Sequence, residues 1–250
     1  MERINHIEGV IFDLGNTLLY FDVDMWEMLL RGAHDLATYL HEQGVGLDAV
    51  TFASVYVDNL DAAYEQARQD WIEITGHQTL RRTLADFGYA NVPEAVIDEG
   101  IRVSLAYGET LWKPFPDTFE TLERLRAAGY RLGLISNFFD DGWIQRTIDN
   151  LSLRPWFWPT LTSAGLRLRK PHPGIFRIVL DEWGTLPQRA VMVGDTLSQD
   201  IVGAQSVGMR AVLATMIEGH RDSDDPSIVP DATIRRLGEL PALLARWNRR

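Results

Sequence analysis

The stretch GVIFDLGNTL at residues 9–18 decides the fold of this 250-residue chain. Its first four residues form a short apolar run that ends at Asp13. Three further runs of similar length follow at 131–136, 190–195 and 210–214. Continuous apolar runs, rather than alternating ones, are typical of parallel strands that are buried on both faces. Because helical patterns separate the later runs, the sequence predicts an α/β fold with a doubly wound parallel sheet.

A helical segment interrupts this pattern after the first strand. Apolar residues recur at helical spacing at Met25, Leu29, Ala33, Leu36 and Leu40. Three further helices are predicted at 49–70, 78–87 and 94–107. Two prolines within 113–117 indicate a linker back to the sheet. We therefore predict an α/β core at residues 1–20 and 113–250, and an inserted all-α cap domain at 21–112.

The composition excludes several classes of function. Lys and Arg number 24 and Asp and Glu number 35, a net charge of −11 that argues against nucleic-acid partners and anionic membranes. The chain has no cysteine, which excludes disulfides and thiolate chemistry. No apolar run approaches the roughly 20 residues that span a bilayer. We expect a cytoplasmic protein, a monomer or homodimer, whose partner is a small molecule.

Chemically active side chains end or follow the predicted strands. Asp13, Ser136 and Asp195 each end an apolar run, Lys170 lies between the second and third of these, and Asp200 follows shortly after. Ligands of an open parallel sheet bind beyond the carboxyl ends of its strands. Clustered carboxylates there suit Mg²⁺, and a carboxylate beside a metal can attack phosphorus.

Four motifs in chain order give this pattern a specific resemblance. They are FDLGNTL at 12–18, LISN at 134–137, KPHPGIF at 170–176 and VGDTLSQD at 193–200. In order and spacing they resemble the haloacid dehalogenase-like hydrolase superfamily. The resemblance covers essentially the whole chain. It implies a Rossmann-like core with an α-helical cap inserted after the first motif, as in the phosphatase-type members.

The resemblance also implies a metal site and a nucleophile. Asp13 would attack phosphorus and form an aspartyl-phosphate. Asp13, the backbone carbonyl of Gly15, Asp195 and Asp200 would hold Mg²⁺. Ionic oxygen ligands of this kind suit that cation.

Three further roles concern the substrate. Ser136 and Asn137 would contact the phosphoryl group, and Lys170 would neutralise its charge. The implied function is a Mg²⁺-dependent phosphatase that hydrolyses a small-molecule phosphate monoester. The sequence does not name that ester, because specificity in this family resides largely in the cap.

One position departs from the family pattern. Most phosphatases of the family carry a second aspartate, an acid and base, where this chain has Gly15. Losing such a group typically costs about 10²–10⁴-fold in rate. Asp22 and Asp24 are candidate replacements. Otherwise the substrate has a good leaving group, such as an anomeric sugar phosphate.

The glycine at position 15 also leaves two alternative functions open. One is a catalytically impaired member that binds a phosphorylated ligand. The other is a metal-independent 2-haloacid dehalogenase, although that branch lacks the acids that this chain keeps at Asp195 and Asp200. Outside the motifs, Arg167, Arg169 and the loop at 218–230 are expected to be solvated surface.

Overall fold

The structure is a computed structural model that describes residues 6–217, 222–223 and 225–249. The strands are β1 (Gly9–Phe12), β2 (Leu19–Tyr20), β3 (Lys113–Pro114), β4 (Arg131–Ser136), β5 (Thr160–Thr162), β6 (Ala190–Gly194), β7 (Arg210–Ala214) and β8 (Ala232–Ile234). The helices are α1 (Met25–Glu42), α2 (Ala49–Asp70), α3 (Gly76–Asp86), α4 (Glu94–Glu109), α5 (Thr118–Ala127), α6 (Asp141–Asn150), α7 (Ser163–Leu166), α8 (Pro173–Trp183), α9 (Val202–Ser206) and α10 (Leu240–Arg249).

A six-stranded parallel sheet in the order β5-β4-β1-β6-β7-β8 forms the core. Alternate residues of its central strands enter two separate hydrophobic clusters. Val10 and Phe12 belong to one cluster, while Ile11 and Met192 belong to the other. A sheet whose two faces are both covered in this way is doubly wound, which confirms the predicted fold class.

The helices α1 to α4 lie between β2 and β3 in the chain and pack on one another. Their bounds agree with the helical periodicity of the sequence. At Gly32 the backbones of α1 and α4 approach so closely that a Cβ would lie 1.8 Å from the carbonyl oxygen of Ser104. Glycine is therefore required at this crossing. The division into a core and a cap domain stays a prediction.

The two connections to this helical segment pair with each other. Leu19 lies opposite Pro114 and Tyr20 opposite Lys113 in a two-stranded antiparallel ribbon, β2-β3. The predicted linker therefore begins as a strand. Pro114 is tolerated in this ribbon because the ribbon is short and lies outside the main sheet. Among the described helices, none is long and apolar enough to cross a membrane.

Candidate active site

A buried lysine holds two carboxylates at the carboxyl end of the sheet. The Lys170 ammonium donates to Oδ1 of Asp13 at 2.5 Å and lies 2.7 Å from Oδ1 of Asp200. It also donates to the carbonyl oxygen of Ile135 at 3.0 Å, which ties it to the end of β4. Lys170 is 2% exposed. A charge buried this deeply is tolerated only with partners of opposite charge.

Asp195 completes an acidic cluster around this lysine. One carboxylate oxygen from each of Asp13, Asp195 and Asp200 lies within 4.8 Å of the others, and all three residues are buried. A Cβ at position 194 would lie 2.2 Å from Oδ2 of Asp200. Gly194 is thus what allows the Asp200 carboxylate to lie against the end of β6.

The titration of these groups reflects their crowding. Burial raises the pKa of Asp13 to about 8, and the Asp200 and Asp195 carboxylates add to this, against the opposing effect of Lys170. Burial also raises the pKa of Asp200. Burial lowers the pKa of Lys170, but Asp13 and Asp200 outweigh it and hold that pKa above its usual value.

The donor set fits a divalent cation. Three buried carboxylates lie together at this position, and the Lys170 ammonium pairs with two of them, Asp13 and Asp200. Carboxylate oxygens are the ligands that Mg²⁺ prefers. A cation there would stabilise the ionised forms that burial opposes. Asp13, Asp195 and Asp200 are therefore the residues that would hold it.

Ser136 is the last residue of β4 and Asn137 follows it, and both line the same cavity. The side-chain amide of Asn137 forms hydrogen bonds with the backbone of Lys170. Its Nδ2 donates to the carbonyl oxygen of Lys170 at 2.9 Å, and its Oδ1 accepts the Lys170 backbone N–H at 2.9 Å. Nδ2 also donates to Gln199 at 2.6 Å. Asn137 therefore positions Lys170. Contact of Ser136 and Asn137 with a phosphoryl group stays a prediction.

The loop between β1 and β2 contains no acidic residue other than Asp13. A Cβ at Gly15 would meet the Trp112 ring at 3.4 Å, so that ring covers this face of the glycine. Asn16 has a φ of 54°, a left-handed conformation that asparagine tolerates better than most residues. The predicted role of the Gly15 carbonyl as a metal ligand stays a prediction.

The two candidate replacement acids have different surroundings. Asp22 is exposed and pairs with Lys113 at 3.0 Å, joining the two connections of the helical segment. Asp24 lines the cavity and caps α1, because its Oδ1 accepts the backbone N–H groups of Trp26 and Glu27 at 2.9 and 3.0 Å. Only Asp24 is therefore placed to face a substrate.

A cavity of about 600 Å³ extends from these residues to the helical segment. Its floor is polar and consists of the end of the sheet. Its opposite wall combines polar and apolar side chains. The polar ones include Asp24, Tyr64 and Glu73, and the apolar ones include Phe21, Val23, Met25, Leu29, Leu60 and Trp112. A volume of this size accommodates a small organic ligand.

A model of the haloacid dehalogenase-like hydrolases matches residues 7–208. The chain belongs to the haloacid dehalogenase-like hydrolase family. The glyceraldehyde 3-phosphate phosphatase of Methanothermobacter thermautotrophicus is 35% identical over 136 residues, which are 54% of this chain and only 60% of that protein. The phosphoglycolate phosphatase of Escherichia coli is 29% identical over 97% of this chain and 95% of its own length. A crystal structure of a 2-haloacid dehalogenase from Pseudomonas syringae pv. Tomato matches with a TM-score of 0.71 and 29% identity, over 96% of this chain and 99% of that one.

The hydrolase contains a buried ion pair that the sequence did not predict. Arg169 is 2% exposed rather than solvated, and its guanidinium lies 3.4 Å from the Glu73 carboxylate, which comes from the connection between α2 and α3. Glu73 also accepts the Ser163 hydroxyl at 2.5 Å, and the Tyr64 ring lies 4.8 Å from the Arg169 guanidinium. Arg167 contacts this connection too, donating to the Glu73 carbonyl oxygen at 2.7 Å.

The expectation of solvated surface was therefore wrong for Arg169. A run of basic residues is usually exposed, but here the Lys170 side chain enters the floor of the site and Arg169 contacts the helical segment. The sequence feature that could have indicated burial of Arg169 was its position next to Lys170 of the third motif. The Glu73–Arg169 ion pair joins the wall of the cavity to its floor.

Asp222 is a further residue of the site that the sequence pattern did not indicate. Its carboxylate accepts the backbone N–H groups of Leu197 and Ser198 at 2.6 and 2.9 Å. These groups begin the helical turn that carries Asp200, where a negative charge is favourable. The prediction of a solvated loop was wrong for Asp222, while residues 218–221 and 224 lie outside the described residues.

Proposed function

We propose that this hydrolase is a Mg²⁺-dependent phosphomonoesterase that acts on a small-molecule ester through an aspartyl-phosphate on Asp13. One observation carries the proposal: Asp195 and Asp200 lie beside Asp13 and Lys170 in one buried cluster. A reaction at phosphorus needs charge neutralisation of this kind. The relatives named as phosphatases support the same class of reaction.

The chain's own residues have distinct roles in this scheme. The Asp13 carboxylate attacks phosphorus, and the bond from phosphorus to the ester oxygen breaks with the electron pair on that oxygen. Lys170 orients Asp13 and stabilises the charge on the phosphoryl oxygens. Water then attacks phosphorus and releases Asp13. Mg²⁺, held by Asp13, Asp195 and Asp200, would supply further charge neutralisation.

The helical segment at 21–112 is the natural cap of this site, since it provides the wall of the cavity opposite the sheet. We propose that it excludes water from the reacting groups and selects the substrate. The Glu73–Arg169 pair supports this role because it joins the segment to the catalytic loop.

The dehalogenase alternative draws on the similarity to the Pseudomonas syringae structure and on Gly15. It involves attack on carbon, which needs no metal. The acidic cluster favours the phosphatase instead, because three buried carboxylates at one position suit a divalent cation, which the phosphatase reaction uses and the dehalogenase reaction does not.

The test is hydrolysis of 4-nitrophenyl phosphate with Mg²⁺ and with EDTA. We expect turnover that requires Mg²⁺ and falls by about 10³-fold or more in Asp13→Asn. Asp35→Asn makes the same chemical change at an exposed position on α1 and serves as the matched control. Halide release from a 2-haloacid in EDTA, without phosphatase activity, would establish the dehalogenase.

A further inference from the structure

The connection between α2 and α3 is bonded to the core loop that precedes Lys170. The backbone N–H of Arg169 donates to the carbonyl oxygen of Trp71 at 3.1 Å. The backbone N–H of Glu73 donates to the carbonyl oxygen of Arg167 at 3.3 Å. The two stretches of backbone therefore run antiparallel to each other for a short distance. This fixes the helical segment to the core directly beside the lysine of the site.

The start of α3 contacts a second core loop, the one that follows β4. The backbone N–H of Gly76 donates to the carbonyl oxygen of Phe139 at 2.9 Å. A Cβ at Gly76 would lie 2.7 Å from the Phe139 ring, so glycine allows this close approach. Ser136 and Asn137 lie at the beginning of the same loop. The helical segment therefore reaches both loops that carry the predicted phosphoryl contacts.

The Glu73 carboxylate joins these two loops through its side chain. Its Oε2 accepts the Ser163 hydroxyl at 2.5 Å, and the Ser163 oxygen accepts the backbone N–H of Phe138 at 2.9 Å. Its Oε1 lies 3.4 Å from the guanidinium of Arg169, the residue before Lys170. One carboxylate thus has one oxygen directed towards each loop.

The burial of these groups makes their geometry well defined. Glu73, Ser163 and Arg169 are all buried, and hydrogen-bonded polar networks in the interior hold their members rigidly. The Lys170 ammonium reaches Asp13 at 2.5 Å, so a small shift of its loop would change the contact with the proposed nucleophile. A misplacement of about 1 Å can cost about 10²-fold in rate.

We propose that Glu73 is a positioning residue for phosphoryl transfer. Its carboxylate, brought to the core by the helical segment, holds the loop after β4 and the loop before Lys170 in the arrangement that the phosphoryl group requires. The proposal rests on the proposed phosphatase function and adds a dependence on the helical segment. In this role Glu73 transfers no proton and forms no bond to the substrate. The site is then complete only while the connection at 71–75 is docked on the core.

One double variant separates positioning from stability. Glu73→Leu combined with Arg169→Met strands no buried charge and should keep the urea midpoint of the parent protein. It nevertheless removes the link from the helical segment to both loops. We expect kcat on 4-nitrophenyl phosphate with Mg²⁺ to fall by about tenfold or more, with KM changed by less than about threefold. A purely structural role predicts that kcat recovers together with stability, and that result would overturn the proposal.

The path through Ser163 gives a second, independent measurement. Ser163→Ala keeps the pair between Glu73 and Arg169 but removes the link to the loop after β4. We expect it to lower kcat by about fivefold or more in the parent protein and by less than about twofold in the double variant, where that link is already broken. Equal losses in both backgrounds would show that Glu73 does not act through this serine.

Two variants on α4 are the matched controls. Glu99→Leu makes the same change as Glu73→Leu at a half-exposed glutamate that pairs with Arg102. Ser104→Ala removes a buried hydroxyl that donates to Ile101 in the same helix at 2.9 Å. We expect both variants to keep the kcat of the parent protein within about twofold. A loss as large as that of the double variant in either control would overturn the specific role of the Glu73 contacts.

A second substrate distinguishes positioning from direct contact, because Glu73 also lines the cavity. Acetyl phosphate and 4-nitrophenyl phosphate share the phosphoryl group and differ in the leaving group. Positioning acts on the phosphoryl side, so the double variant should lower kcat for both compounds by the same factor, within about threefold. A loss confined to one of them would assign Glu73 to the leaving group instead and overturn the proposal.

The outcomes also separate this proposal from the function beneath it. If turnover by the parent protein requires Mg²⁺ and Asp13 while the double variant keeps the parent kcat, the phosphatase stands and the role of Glu73 is wrong. If the parent protein hydrolyses neither compound with Mg²⁺, both proposals fail.

Discussion

The buried pair between Glu73 and Arg169 gives a sharp prediction for stability. Both side chains are about 2–3% exposed, so neither charge has water to solvate it when the other is removed. Arg169→Met leaves the Glu73 carboxylate with the Ser163 hydroxyl alone, and Glu73→Leu leaves the guanidinium with the Tyr64 ring. Each single variant therefore strands a buried charge.

The magnitude follows from the burial. Removing one partner of a buried ion pair costs about 3–5 kcal/mol in the free energy of unfolding. We take about 3 kcal/mol here, because the contact is 3.4 Å long and each residue keeps one other partner. The double variant strands no charge and replaces the pair by apolar side chains. It should lie within about 1 kcal/mol of the parent protein.

Urea unfolding of the four proteins measures these values and the coupling between the two residues. Arg102→Met at the exposed Glu99–Arg102 pair is the control, and should cost under about 1 kcal/mol. Single variants that cost less than about 1 kcal/mol, or a double variant that costs their sum, would refute this account of the pair.

Three further predictions concern packing, pH and catalysis. Gly32→Ala places a Cβ 1.8 Å from the Ser104 carbonyl oxygen. We expect this variant to lower the free energy of unfolding by about 2 kcal/mol or more, and therefore to lower Tm. A Tm equal to that of the parent protein would contradict the close approach of α1 and α4. In EDTA, the raised pKa of Asp13 means that the folded state binds more protons than the unfolded state between about pH 4 and 8. Stability should therefore fall as pH rises through this range, by at most about 1.4 kcal/mol per pH unit from this group, and Asp13→Asn should remove that part of the slope. Lys170→Met should lower kcat on 4-nitrophenyl phosphate by about 10²-fold or more, since it removes the cation that faces Asp13, and retention of kcat would exclude its role.

The strands and the acidic cluster were predictable because local sequence specifies them. Each central strand is a continuous apolar run, and the carboxyl ends of parallel strands meet at one edge of the sheet. Asp13, Asp195 and Lys170 follow such runs or a motif loop, so their meeting required only the order of the elements.

Other features depend on contacts between distant parts of the chain. Strands β5 and β8 are three residues long, too short for a periodic pattern. Arg169 is buried only because a connection 96 residues away brings Glu73 to it. The approach of Trp112 to Gly15 likewise reflects how the ribbon β2-β3 places the helical segment.

The most direct test of the central claim is to look for the covalent intermediate on Asp13. The protein is mixed with Mg²⁺ and 4-nitrophenyl phosphate, quenched in acid during turnover, digested and mapped by mass spectrometry. We predict one phosphoryl group on the peptide that contains Asp13, absent in EDTA and absent in Asp13→Asn. Full turnover with no phosphorylated Asp13 peptide, or turnover that persists in Asp13→Asn, would contradict nucleophilic attack by this residue.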